Sequence, residues 1–73
     1  MSDIVEVLKR AIAVAPKGNK VVTIHLFGIQ HSERLDGMNL QDLAEQAGIG
    51  KSFGTELRKG VRLAEYVQVK TVS

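Results

Sequence analysis

The chain of 73 residues contains no cysteine, so neither a disulfide nor a thiolate metal ligand can brace its fold. That lack fits a reducing cytoplasm. Nor is there an apolar run near the roughly 20 residues that cross a bilayer, so no membrane partner is expected. The opening residues, MSDIVEVLKR, carry acids where a secretory leader would carry bases, and export is not expected. Internal repeats and low-complexity segments are missing as well. At this length a single domain over residues 1–73 is expected, with a small core and modest stability unless a partner adds to it.

A strong charge of either sign is also lacking, since the net is only +2. The distribution says more. Up to residue 30, Lys9, Arg10, Lys17 and Lys20 stand against Asp3 and Glu6. Over residues 31–49, Arg34 stands alone against Glu33, Asp36, Asp42 and Glu45. From residue 50 onward, Lys51, Arg58, Lys59, Arg62 and Lys70 outweigh Glu56 and Glu65. An anionic partner would be met at that last segment, if anywhere.

What is present is a set of helical patterns between glycine-rich breaks at residues 15–19, 36–39 and 48–50. Asp3 and Glu6 suit a capping box for a first helix, and Ile4, Leu8, Ala11, Ile12 and Ala15 recur on one face until Pro16 ends the run. Residues 20–35 begin with the β-branched VVTIHLF and could be a buried strand. The long stretch without a turn signal favours a helix, with Val22, Leu26 and Ile29 on one face and Ile24 and Phe27 widening it. Gly28 weakens such a helix by about 1 kcal/mol relative to alanine. A third helix starts at Asn39, a good N-cap, and carries Leu40, Leu43, Ala44 and Ala47 inward until Gly48 stops it. A fourth runs from Lys51 to about Leu63, capped by Ser52, with Phe53, Leu57, Val61 and Ala64 inward. Residues 66–72 alternate and read as a short strand or an extended tail.

The stretch GIGKS raises the prospect of a phosphate loop. Such a loop needs a first glycine five positions before Gly50, leading out of a strand. Glu45 stands there, in a helical pattern, and its carboxylate would occupy the place of the phosphate. The dinucleotide fingerprint fails too, because Phe53 stands where its third glycine belongs.

A tight corner between two helices accounts for the same residues. Ala44 is small where a second helix crosses, Gly48 turns the chain, Ile49 plugs the joint, and Leu40, Leu43 and Leu57 point inward. On these residues, the segment Leu40 to Gly60 resembles the bacterial helix-turn-helix DNA-binding motif. The likeness covers about twenty residues of the chain and is moderately specific. It departs from the pattern at Gly54, where such motifs usually carry a branched apolar residue. Either Phe53 fills that space from a shifted angle or the helix starts late, and Gly60 would stop it early.

The resemblance implies a mainly α fold, a small helix-turn-helix bundle of about four helices. It implies that helix 52–63 reads the major groove of double-stranded DNA. Lys51, Ser52, Thr55 and Glu56 would face base edges. Arg58, Lys59 and Arg62 would grip phosphates, and Lys70 would act like the wing of a winged helix. A role in transcription regulation or nucleoid organisation in a bacterial or phage cytoplasm follows from the same likeness. The apolar stretch from Val21 to Ile29 is first of all core. It exceeds what so short a monomer hides, so part of it or the first helix is expected to form a homodimer seam.

Other chemistry finds little support. His25 and His31 do not share a helical face, so metal binding is not expected. His25 reads as a core or boundary residue, and His31 as a surface one. Ser52 has no histidine at motif spacing, and Asp36, Asp42 and Glu45 form no acid–base pair, so neither enzymatic activity nor a cofactor is expected. The rival to DNA binding is a protein-interaction module of helix-turn-helix shape that leaves DNA alone. The acids between residues 31 and 49, the weak net charge and Gly54 favour that rival.

Overall fold

A computed structural model describes residues 2–69. Its helices are α1 (Ser2–Ala13), α2 (Lys20–Gln30), α3 (Ser32–Leu35), α4 (Leu40–Gln46) and α5 (Phe53–Leu63). The mainly helical bundle expected from the sequence is present. Pro16 follows the end of α1, as its disfavour for helical geometry at Ala15 requires. Asp3 lies inside the first turn of α1 rather than ahead of it. There its carboxylate meets the positive end of the helix dipole instead of capping.

The stretch 20–35 is helical rather than a strand, but it is interrupted. His31, at φ −110° and ψ 22°, breaks it into α2 and α3 while its N–H still bonds the Phe27 carbonyl. Packing overrides the β-branched propensity here. Ile24 and Phe27 enter a core that also takes Ile4, Val5 and Leu8 from α1, Leu35 from α3, Leu40, Leu43 and Ala44 from α4, and Leu57 from α5. Each large apolar side chain buried in it contributes roughly 1.5–3 kcal/mol.

The inward face of α2 differs from the expected one. Ile24, Phe27 and Gly28 are buried, whereas Val22 and Leu26 are about half exposed and Ile29 is half-buried. The cause lies in Gly28. A Cβ there would stand 2.7 Å from the carbonyl oxygen of Leu57 and 3.0 Å from the Cα of Gly60, and a Cβ on Gly60 would collide with the carbonyl oxygen of His25. Two glycines thus let the backbones of α2 and α5 touch, and this rotates α2 so that its glycine side faces in. The helix propensity lost at Gly28 is offset by that approach. Gly60 accordingly does not stop α5, which runs on to Leu63.

Beyond α5 the chain turns through residues 64–66 and has no regular structure at 67–69. No strand occurs among the described residues, and alternation alone does not make one without a partner strand. The expected wing residue Lys70 lies outside the described residues.

Candidate nucleic-acid interface

The helix corner is built as its sequence suggests. Asn39 caps α4, its Oδ1 accepting from the Asp42 N–H at 3.0 Å. At the other end the Ile49 N–H donates to the Ala44 carbonyl at 3.1 Å and the Gly48 N–H to the Glu45 carbonyl at 3.0 Å. This paired closure requires left-handed backbone at Gly48, which has φ 79°. Gly50 repeats the device at φ 98°. Ile49 packs against the core as the plug of the joint.

Ser52 does not cap α5. Its own backbone is already helical, and its side chain makes no cap bond. The entry is closed instead by backbone bonds from the Phe53 N–H to the Gly50 carbonyl and from the Gly54 N–H to the Lys51 carbonyl. Gly54 then meets α4 directly, since a Cβ on it would lie 2.8 Å from the Cα of Gln41. No branched side chain fits at that crossing. Phe53 is partly buried against the core, and the Lys20 ammonium sits 4.6 Å above its ring, an attractive cation–π arrangement.

With Gly54, Leu57 and Gly60 buried, the opposite side of α5 is open. Thr55, Arg58, Lys59 and Arg62 are all exposed, and at 3.6 residues per turn they fall within an arc of about 100°. Lys51 and Ser52 extend this face past the helix start and are exposed too. Two of the cations have acidic neighbours. Lys51 lies 3.5 Å from Glu45 and Lys59 lies 3.4 Å from Glu56. Both contacts are exposed enough to hold these side chains only weakly.

Glu56 differs from the other expected base readers. It sits at the edge of the open face, with one oxygen 2.7 Å from His25 Nε2 on α2 and the other directed to Lys59. As a carboxylate it accepts, so Nε2 carries the hydrogen. The His25 hydrogen bond is the largest influence and holds its carboxyl below the ordinary value; burial opposes it, and Lys59 adds to the lowering. His25 is thus a boundary residue with a partner. His31 stacks obliquely on Phe27, with ring centroids 4.6 Å apart. Its pKa is lowered by burial first and by Arg34 second.

The sequence matches the HTH-like domain family over residues 1–70. The chain belongs to that family. Comparison with curated proteins and with solved structures finds no match.

In this HTH-like domain the corner and α5 bring Lys51, Ser52, Thr55, Arg58, Lys59 and Arg62 to one continuous face, with Glu56 at its margin. Sequence reasoning missed Lys20, which reaches the start of α5 only because α2 folds back beside it. No spacing signal could have found it. Glu33 and Asp36 lie with Glu65 around a shallow hollow beside Val61 and Ala64, away from the corner. No helix among the described residues is long and apolar enough to cross a membrane.

Proposed function

We propose that this HTH-like domain binds double-stranded DNA, laying the outward face of α5 in the major groove. The observation that carries this reading is the glycine-closed corner followed by a helix whose open side bears Arg58, Lys59 and Arg62. Lys51, Ser52 and Thr55, nearest the corner, address base edges, lysine suiting guanine and the hydroxyls being permissive. Arg58, Lys59 and Arg62 contact phosphates, and Lys70 adds a further cation from the terminal segment. The protein acts as a homodimer in transcription regulation or nucleoid organisation in a bacterial cytoplasm.

A second reading, a helix-turn-helix module that binds protein and not DNA, draws on the acids Glu33, Asp36 and Glu65 grouped beside α5. Reversing Arg58 and Lys59 to glutamate separates the two. Under the DNA reading the variant keeps its helical content and loses retention on a mixed-sequence duplex at low salt. For the unaltered protein, about four phosphate contacts per protomer give a slope of log K against log salt near −4. Retention indifferent to salt, or no retention at all, would favour the protein-binding reading.

A further inference from the structure

The rotation of α2 that buries Gly28 leaves an apolar ridge outside. Val22, Leu26 and Ile29 follow at steps of four and three along it, and Val22 and Leu26 are 53% and 44% exposed. Beside the ridge runs an open groove of about 500 Å³ between α1 and α2, walled by Val7, Ala11 and Val14 on one side and Leu26 and Phe27 on the other. Val14 is 81% exposed. Ridge and groove together make one mainly apolar face, with Arg10, Thr23, Gln30 and His31 also lining the groove. Such a face can be covered by the same face of a second copy related by a twofold rotation.

Charge points the same way. Asp3, Val7 and Arg10 succeed one another at steps of four and three, so they share one side of α1, and Val14 follows just past its end. Asp3 and Arg10 are exposed and of opposite sign, and they flank Val7. Two copies of α1 laid antiparallel set Asp3 of each against the oppositely charged Arg10 of the other. We propose that this face, the side of α1 through Val7, Val14 just past its end and the outer ridge of α2, is the seam of a homodimer of this chain.

The size of the face sets the strength. The two helices are about 17 Å long and about 10 Å wide each, giving on the order of 350 Å² in projection. Side-chain relief raises the accessible area toward the roughly 600 Å² per partner found at the small end of stable interfaces. A weak, concentration-dependent dimer follows. Since α5 meets α2 through Gly28, on a different side of that helix, pairing through the ridge leaves Arg58, Lys59 and Arg62 uncovered.

This inference rests on the homodimer reading above, and sedimentation velocity from low-micromolar to millimolar protein tests each separately. The unaltered protein is expected to grow in mass with concentration. Leu26→Glu, and Val22→Glu as a second variant on the same ridge, should remain monomeric with unchanged circular dichroism. Asp3→Arg should weaken pairing about tenfold, and the double variant Asp3→Arg/Arg10→Asp should recover it. An unaltered protein that stays monomeric throughout, with or without duplex DNA, overturns the homodimer and the seam together. A dimer that persists in both ridge variants keeps the homodimer and overturns the seam. Failure of the double variant to recover overturns the antiparallel arrangement.

Discussion

His25 donates from Nε2 to the Glu56 carboxylate at 2.7 Å, tying α2 to α5 along the margin of the basic face. The contact joins residues 31 positions apart, and it changes what Glu56 does. The Glu56 side chain is only 23% exposed, so it serves the seat of α5 while its second oxygen draws on Lys59.

Removing that carboxylate has two expected outcomes. A carboxyl held below its unfolded pKa in the fold contributes stability above that value, and the contribution disappears as pH falls through the folded pKa. Unfolding midpoints of the unaltered protein should therefore drop once pH falls below about 4.5, and Glu56→Gln should show a shallower drop. The same variant frees Lys59. Lys59 is already one of the phosphate contacts, so duplex affinity at low salt should rise while the slope of log K against log salt stays near about −4. Unchanged affinity would show that Glu56 does not compete with DNA for Lys59.

The glycine contact predicts a large effect from a small change. Gly60→Ala sets a methyl against the His25 carbonyl, and neither backbone can yield without moving a helix. A loss of about 1–3 kcal/mol in urea unfolding is expected. Tyr66→Ala, at a position 81% exposed and outside the dimer face, should stay within about 0.5 kcal/mol. Equal stability of the two variants would contradict the backbone approach of α2 and α5.

His31 gives a second acid sensitivity at a higher pH. Its pKa is lowered from 6.5 in the fold, so the unfolded chain takes up its proton first and stability rises with pH across that window. Thermal midpoints should fall as pH drops below about 6.5. His31→Gln should flatten that part of the curve and leave the Glu56 part below it. A variant that retains the whole upper slope would move its origin elsewhere.

Local chemistry made the corner readable. Asn39, Ala44, Gly48 and Ile49 each have a role fixed by a few neighbouring residues, and the structure seats each of them as expected. The same holds for the inward Leu43 and Leu57, both wholly buried. What was not legible depended on distant partners. The inner face of α2 was set by Gly60, the seat of Gly54 by Gln41, and the position of Lys20 by Phe53. Helical periodicity finds an apolar stripe, but α2 has one on each side. Only the glycine pair decides which stripe goes in. Ser52 misled because its residue type suits a cap, whereas the chain enters α5 already coiled.

The joint between α2 and α5 is made where neither Gly28 nor Gly60 has a side chain. It therefore imposes no demand on the identities of Thr55, Arg58, Lys59 or Arg62 across the helix. Those positions can be exchanged while the helix keeps its angle, so the chemistry of the open surface and the seat beneath it are set by different residues.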